Sequence, residues 1–406
     1  MQKFILKNGL TLLVEKRPGQ SVTVQATVRV GSNHEKKGQY GISHFVEHML
    51  FEGTPKRPNS TIIANEIERL GGDLNAYTTK ERTSYYIKVP SKHFDKALDI
   101  LADMMQRPLF DQKMLEKERK IILKEINMVT DQPRYHQWIL FEKTLFQKHP
   151  TRNPTYGTRK DVSKMQREDL ADYYRQYYAP NNMILSMAGN VKDAKKKAIR
   201  YFSEFRRKKI PAYHSVTEPA LHSNHIKKEN KKILNSYLVM GYKTALRSDK
   251  DSYALDVIRA LLSRGQSGKI VEEIRNKRGL AYEVDVLHEA TNDYGFFAIH
   301  LNTDKKNIPL AKQIILEELR KLENTSKKEL ELAKSHLEGR YLLDNEDTRH
   351  MADWLGFWEL SDNAKKALTY GQDIKRVTIS DIQRVSRKYL RKNYALSVIE
   401  QKNSSR

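Results

Sequence analysis

A helix followed by a strand closes each half of this chain, and these two copies decide the fold. The first is DLADYYRQYYAPNNMILSMAG (residues 169–189), in which an amphipathic helix pattern gives way to an apolar run. The second is DIQRVSRKYLRKNYALSVIEQ (residues 381–401), with the same order of elements. Another pair, NEIERLGGDLNAYTTKERTSYYIKV (65–89) and EEIRNKRGLAYEVDVLHEATNDYGFFAIHL (272–301), predicts a helix, a strand, a turn and a strand in both places. The repeats therefore predict two domains of like topology.

The remaining pattern indicates the fold class and the domain boundaries. Helices and strands are intermixed, with hairpins rather than regular crossovers, which predicts an α+β fold of two similar domains, each a mainly antiparallel sheet packed with helices. A chain of 406 residues is also too long for one ordinary core. Residues 209–230 contain two prolines and three histidines with little periodicity, and they predict a linker between domains at 1–208 and 231–406.

Composition limits the functional classes. No apolar run approaches the roughly 18 residues that a membrane span needs, so we expect no stable membrane insertion. The N-terminus alternates like a strand pair around Asn8 and Gly9, so we expect no cleavable signal, and a cytoplasmic protein is the default expectation. Because the chain has no cysteine, a metal site would need histidine or carboxylate ligands.

The chain is strongly basic, with a formal net charge of +23. Such a charge favours association with nucleic acid or other anionic partners. The lysines and arginines are spread along the chain, however, and a solvated surface explains them better than a nucleic-acid footprint. Nucleic acid is therefore the less favoured partner.

The stretch GISHFVEHMLFEGT (41–54) places three polar groups inside an apolar run. On a helix, His44 and His48 lie one turn apart on one face, which suits two nitrogens that converge on one cation, and Glu47 can reach the same face. The alternative is a core helix whose histidines are hydrogen-bonded and whose glutamate is exposed. Three clustered groups favour the metal site, because each would need its own partner if buried.

A third protein ligand is expected on the helix predicted from Asp111 to about Val129. This helix offers Glu116, Glu118 and Glu125. Glu118 and Glu125 are seven residues apart and share a face with apolar residues, whereas Glu116 suits a surface charge face. The spacing alone leaves the choice between Glu118 and Glu125 open.

The combination of HFVEH and Glu125, 77 residues beyond His48, resembles the inverted zinc motif of the pitrilysin-type (M16, inverzincin) metallopeptidases. GGDLNAYTTKERTSYY (71–86), YGTRKDV (156–162) and EEIRNKRGLAYEV (272–284) resemble other segments of the same family, so the resemblance spans essentially the whole chain. It implies that His44, His48 and Glu125 bind Zn²⁺ and that Glu47 is the general base. It also implies that Glu118 is an acidic residue that supports the ligands without binding the metal itself.

The resemblance also implies residues that contact substrate. Asn75 and Ala76 match an edge strand to which the substrate backbone adds, and Arg275 and Tyr282 match the pair that holds substrate and stabilises the oxyanion. Taken without the family, Asn75 and Ala76 suit an ordinary hairpin, Arg275 a surface helix, and Tyr282 a half-buried strand.

The chain is about half as long as the insulin-degrading type, so the resemblance implies half of a clamshell chamber closed by a homodimer or by a paralogous subunit. The expected function is zinc-dependent endopeptidase activity on peptides or unfolded segments. The alternatives are a non-catalytic scaffold or binding subunit of the same fold and, less favoured, a nucleic-acid-associated protein.

Overall fold

The computed structural model describes residues 1–402. Its strands are β1 (Gln2–Ile5), β2 (Thr11–Lys16), β3 (Ser21–Val28), β4 (Asp73–Thr78), β5 (Thr83–Pro90), β6 (Met183–Gly189), β7 (His225–Lys231), β8 (Ser236–Lys243), β9 (Val284–Ala290), β10 (Gly295–Thr303) and β11 (Ala395–Gln401). Its helices are α1 (Ile42–Phe51), α2 (Ser60–Glu68), α3 (Phe94–Gln106), α4 (Gln112–Asp131), α5 (Pro133–Leu145), α6 (Arg159–Val162), α7 (Arg167–Tyr177), α8 (Ala194–Phe202), α9 (Asp251–Leu262), α10 (Lys269–Val271), α11 (Ile308–Lys321), α12 (Lys327–Asp344), α13 (Thr348–Ser361), α14 (Lys366–Lys375) and α15 (Ile379–Tyr389).

The strands form two sheets with the same topology. The six-stranded sheet has the order β1-β2-β6-β3-β5-β4, and the five-stranded sheet has the order β7-β11-β8-β10-β9. If β1 is set aside, each strand of the first sheet has an equivalent at the same place in the second. In both sheets one pairing is parallel, β2 with β6 and β7 with β11, and the other pairings are antiparallel. The predicted fold class of two similar α+β domains, each with a mainly antiparallel sheet, is confirmed.

The repeats seen in the sequence correspond to equivalent elements. Residues 169–189 contain α7 and β6, and residues 381–401 contain α15 and β11. In the other pair, α2, β4 and β5 match a short helical segment from α10 through a turn of π-helix at 272–276, followed by β9 and β10.

The chain divides into two compact units that exchange segments. Within residues 1–402, the first unit comprises residues 1–127, 153–214 and 343–368, and the second comprises 128–152, 215–342 and 369–402. This division differs from the contiguous domains predicted at 1–208 and 231–406, because 128–152 and 343–368 each pack with the other half. In addition, β7 begins at His225, within the linker predicted at 209–230.

The exchanged segments contain equivalent helices. Helix α5, from the first half of the chain, packs on β8 and β11, whereas α13, from the second half, packs on β3 and β6. Helix contacts of this kind depend on residues far apart in sequence, which explains why local periodicity predicted contiguous domains.

The helices among residues 1–402 include none that is both long and apolar enough to cross a membrane.

Candidate metal centre

Helix α1 lies in the core of the first unit and carries the polar side chains of His44, Glu47 and His48. Its apolar side chains Phe45, Val46, Met49 and Leu50 are completely buried. The helix begins after Gly41, whose φ of 99° lies in the left-handed region that glycine adopts without strain. Helix α1 packs against β4, β5, α3 and α7, and these contacts set its position.

Glu35, six residues before Gly41, caps the start of this helix with its side chain. Its buried carboxylate accepts hydrogen bonds from the backbone N–H of Gly41 at 2.8 Å and of Ser43 at 3.0 Å. These are N–H groups that the first turn of a helix cannot satisfy internally, and a negative charge there also interacts favourably with the helix dipole. Sequence analysis did not assign a role to Glu35; the only available signal was an acidic residue before the glycine that opens the helix.

Three side chains converge where α1 meets α4. His44 Nε2 and His48 Nε2 are 3.3 Å apart, and Glu125 Oε2 lies 3.8 Å from the first and 3.7 Å from the second. Among residues 1–402, His44, His48 and Glu125 form the group of three or more potential ligands whose donor atoms can share one metal ion. The structure thus brings together all three predicted ligands, and it places Glu125, rather than Glu118, in the triangle.

The donor set fits a zinc ion. Tetrahedral Zn²⁺ with nitrogen ligands about 2.0–2.1 Å away requires nitrogen atoms about 3.3 Å apart, which matches the separation of the two Nε2 atoms. Glu125 Oε2 is buried and has no hydrogen-bond partner among the described residues, which is costly for a carboxylate oxygen. Two facing nitrogens and an unsatisfied anionic oxygen are what a cation would stabilise.

The protonation states also suit metal binding. Burial, and then the neighbouring His48, lowers the pKa of His44 to about 3, so this imidazole is neutral at ordinary pH. Burial opposes protonation of His48, but the hydrogen bond to Glu118 and the charges of Glu125 and Glu47 outweigh it and raise the pKa of His48. A metal ion at Nε2 would take the place of the proton that these carboxylates attract.

Glu118 orients His48. His48 Nδ1 lies 2.9 Å from Glu118 Oε2, so donation from Nδ1 leaves the Nε2 lone pair directed at the site. Burial opposes ionisation of Glu118, but the hydrogen bond and charge of His48, and then the neighbouring Lys117, outweigh it and lower the pKa of Glu118. This is the position that the resemblance implied for Glu118.

Glu47 lies on α1 outside the ligand triangle. It is 8% exposed, and its Oε2 accepts a hydrogen bond from Thr78 Oγ1 on β4. Burial is the largest cause that raises the pKa of Glu47 to about 7, and Thr78 and His48 reduce this effect. A carboxylate with such a pKa can both accept and release a proton near neutral pH.

Tyr156 is a further residue at the site that sequence analysis left without a role. Its ring packs edge-on against His44, with the ring centroids 4.9 Å apart. The loop at residues 156–157 lies against the start of α1 at residues 40–41. A Cβ on Gly157 would lie 2.0 Å from Tyr40 O, and a Cβ on Gly41 would lie 2.7 Å from Tyr156 O. The segment YGTRKDV resembles a family segment, and because Gly41 and Gly157 have no Cβ, the loop that carries Tyr156 can approach His44.

The predicted substrate residues Asn75 and Ala76 lie on β4, the last strand of the six-stranded sheet. Strand β4 pairs with β5 on one side, and no other strand within residues 1–402 pairs with its outer edge. The Asn75 side chain is exposed and its Oδ1 accepts the backbone N–H of Ala76 at 2.8 Å. This edge can accept an additional strand.

Arg275 and Tyr282 lie in the second unit, near each other. The guanidinium carbon of Arg275 is 5.1 Å from the centroid of the Tyr282 ring, and Arg275 Nη1 donates to Gln266 Oε1 at 2.7 Å. Tyr282 is 83% exposed, which differs from the half-buried strand residue that the sequence suggests without the family. It precedes β9 rather than lying within it.

Two family models together match most of the chain. Residues 10–159 match the model described as insulinase (peptidase family M16), and residues 164–337 match the model described as peptidase M16 inactive domain. The first match contains the three candidate ligands and Glu47, and the second contains Arg275 and Tyr282.

Similar proteins cover nearly the same length. A Bacillus subtilis protein named uncharacterized zinc protease YmxG is 29% identical over 412 residues, which cover 98% of each chain. A Rickettsia felis protein named uncharacterized zinc protease is 32% identical over 356 residues, which cover 86% of this chain and 85% of that protein.

Solved structures show the same fold. The crystal structure of a protease from Helicobacter pylori matches with a TM-score of 0.93 and 24% identity over 98% of this chain and 99% of that one. The structure of a peptidase M16 inactive domain from Pseudomonas fluorescens matches with a TM-score of 0.90 and 19% identity over 100% of this chain and 99% of that one.

Proposed function

This chain belongs to peptidase family M16, and from that premise we propose that it is a zinc-dependent endopeptidase that hydrolyses peptides or unfolded segments. The observation that carries the proposal is the triangle of buried His44 with half-buried His48 and Glu125, and with buried Glu47 on the same helix and outside the ligand set. The names of the zinc protease relatives support the choice of metal.

His44, His48 and Glu125 would hold a Zn²⁺ ion, and because two neutral imidazoles and one carboxylate would leave it positively charged, it would supply Lewis-acid chemistry that polarises a peptide carbonyl and acidifies water. Glu47 accepts a proton from the attacking water and donates it to the leaving amine, a role that its raised pKa supports. Glu118 holds the Nδ1–H of His48 and so keeps Nε2 available as a ligand.

The substrate binds as an extended strand along β4, next to Asn75 and Ala76. The free edge of β4 supports this assignment, because edge pairing recognises the peptide backbone and therefore selects extended chains over folded domains. Arg275 and Tyr282 bind substrate and stabilise the developing oxyanion; this part of the proposal rests on the family resemblance of their segment and on the exposure of Tyr282.

Chamber formation by a homodimer, or with a paralogous subunit, is part of the same proposal. It rests on the length of the chain, which provides two repeats of the fold. Sedimentation equilibrium of the purified protein tests it, since a monomer that retains full peptidase activity would contradict a chamber made by two chains.

The experiment that tests the function substitutes Glu47 with glutamine. Glu47→Gln keeps the size of the side chain and leaves the ligand triangle intact, so we expect about one zinc per chain and a loss of peptidase activity of about 10²–10⁴-fold. Zinc is measured by atomic emission, and turnover is measured with a mixed peptide library by mass spectrometry.

The matched control is Glu168→Gln, since that side chain is 73% exposed and should leave both zinc content and turnover unchanged. A wild-type protein that binds zinc stoichiometrically but cleaves no peptide would favour the alternative, a non-catalytic subunit of the same fold. Retention of wild-type turnover by Glu47→Gln would contradict the role of Glu47.

A further inference from the structure

We propose that Thr78 is a positioning residue for Glu47, which it holds with one carboxylate oxygen engaged and the other available for proton transfer. The inference rests on the proposed function, in which Glu47 is the general base. Thr78 is the last residue of β4, so the same strand that is proposed to bind substrate also holds the base.

The direction of the hydrogen bond follows from counting hydrogens. Thr78 Oγ1 lies 2.5 Å from Glu47 Oε2 and 3.4 Å from Thr83 Oγ1, and a hydroxyl has one hydrogen to donate. Thr83 Oγ1 donates its own hydrogen to the carbonyl oxygen of Val30 at 2.9 Å. An ionised carboxylate only accepts, so the hydrogen of Thr78 is directed at Glu47.

The backbone beneath Thr78 is fixed on both sides of the turn that joins β4 to β5. Thr78 pairs with Thr83 in the sheet register. Tyr77, one residue before Thr78, donates its hydroxyl to Asp353, and Arg82, one residue before Thr83, forms an ion pair with the same carboxylate at 3.2 Å. Because Asp353 binds both Tyr77 and Arg82, it fixes the end of the β4–β5 hairpin. The position of the hairpin in turn places the Thr78 hydroxyl next to Glu47.

The consequence for the reaction is a distinction between the two oxygens of Glu47. Oε2 is occupied by the Thr78 hydroxyl, so Oε1 is the oxygen that takes the proton from water, while the Thr78 hydrogen stays on Thr78. A carboxylate that could rotate freely would present either oxygen and would spend less time in the productive orientation.

The test compares Thr78→Val, which removes the hydroxyl at nearly constant volume, with Thr78→Ser, which keeps it. We expect Thr78→Val to lower kcat about 10-fold with KM, zinc content and thermal midpoint unchanged, and Thr78→Ser to stay within about twofold of wild type. In the Glu47→Gln background, Thr78→Val should have little further effect, because the group it positions has been removed. Thr61→Val, at an exposed threonine of α2, is the matched control and should change nothing.

A spectroscopic measurement on the metal-free protein makes the result independent of turnover. The infrared carboxylate band of Glu47, isolated as the difference between wild type and Glu47→Gln, should shift in Thr78→Val and stay in place in Thr78→Ser. An unchanged band in Thr78→Val would overturn the inference even if the wild type proved inactive. If the wild type cleaves peptides and Thr78→Val has the same kcat, the inference about Thr78 is overturned. The proposed peptidase function then remains intact.

Discussion

Glu35 shows how one buried side chain can set the position of the helix that carries the candidate metal ligands His44 and His48. Its carboxylate accepts hydrogen bonds from the backbone N–H groups of Gly41 and Ser43 at the start of α1, the helix that carries His44, Glu47 and His48. Burial is the main cause that raises the pKa of Glu35 to about 7, although the hydrogen bonds from Gly41 and Ser43 favour the charged form. The cap therefore makes the stability of the first unit depend on pH.

The sign of this dependence follows from the two pKa values of Glu35. The folded value of about 7 exceeds the ordinary 4.5, so the folded state binds the proton more tightly than the unfolded chain does. Proton binding by Glu35 therefore adds about 3 kcal/mol to the free energy of unfolding below about pH 4.5, and this stabilisation is lost as pH rises through about 7. Glu35→Gln has no such proton, and we expect the difference between its urea midpoints at pH 5 and pH 8 to be smaller than in wild type. An identical difference in both proteins would show that Glu35 does not titrate in this range.

Sequence predicted the site residues whose signal is local. The four-residue spacing of His44 and His48 places both on one helix face, and the family resemblance selected Glu125 as the third ligand where spacing alone had left Glu118 open. Glu35, Thr78 and Tyr156 were not assigned, because each acts through a contact that depends on the folded path of a loop or hairpin. Glu35 has only a weak local signal, an acidic residue before the glycine that opens α1, and Thr78 and Tyr156 lie in family-like segments without a pattern that assigns them a role.

At the scale of elements, β3 shows that an alternating apolar and polar strand can have either one face in water or both faces buried. In SVTVQATV the apolar residues alternate with Thr23, Gln25 and Thr27, as in a strand with one face in water. In the structure both faces are buried, and α13 covers the polar face from more than 300 residues away. Thr23 Oγ1 lies 2.9 Å from Thr348 Oγ1, and Gln25 donates to Asp353 at 2.9 Å. The strand was predictable; its partner was not, because hydrogen-bonding residues on a strand do not reveal which segment will cover them.

Asp353 is the main polar connection between α13 and the end of the β4–β5 hairpin. Burial opposes its ionisation, but Arg82 and the hydrogen bonds from Tyr77 and Gln25 outweigh this and lower the pKa of Asp353. Its stabilising contribution is therefore present above the ordinary carboxyl pKa and is lost as pH falls.

Asp353→Asn removes the charge that pairs with Arg82, and we expect a cost of about 2 kcal/mol, confined to the first unit. Hydrogen exchange at pH 7 should become faster in residues 73–83 and remain unchanged in β8 of the second unit. Asp362→Asn, at the exposed C-terminal end of the same helix, is the control and should leave the hairpin protected. Equal protection of residues 73–83 in Asp353→Asn and wild type would show that this carboxylate does not hold the hairpin.

At the scale of the whole molecule, the exchange of segments is reciprocal. Helices α5 and α13 occupy equivalent places in the two repeats, since each follows a long helix, α4 or α12, that comes after the hairpin strands. Each packs on the sheet formed mainly by the other half of the chain, α5 on β8 and β11 and α13 on β3 and β6. The repeat in the sequence therefore predicts the topology correctly, but each unit takes its covering helix from the opposite half.

The two exchanged helices use different chemistry. Phe141, Leu145 and Phe146 of the α5 segment are buried among apolar residues of the second unit, including Phe296 and Val239. Helix α13 instead makes hydrogen bonds to the polar face of β3, and Gly356 allows close approach, since a Cβ there would lie 3.2 Å from Thr27 Oγ1. A chain cut between the halves would thus expose apolar surface on the first fragment and leave polar groups of β3 without their partners.

These features predict the behaviour of the fragments 1–214 and 215–402. Each fragment alone lacks the helix that covers its sheet, so neither should show a cooperative thermal transition, and fragment 1–214 should aggregate through the exposed α5 segment. Refolded together, they should form a one-to-one complex that unfolds cooperatively and binds about one zinc, as measured by calorimetry, size-exclusion chromatography and atomic emission. Phe141→Ala in fragment 1–214 should weaken the complex, since Phe/Ala replacements in a core cost about 3–5 kcal/mol, whereas Tyr135→Ala, at a 48% exposed position of the same helix, should not. If fragment 1–214 alone unfolded cooperatively and bound zinc as tightly as the full chain, α13 would be dispensable and the exchanged helices would not make the two units interdependent.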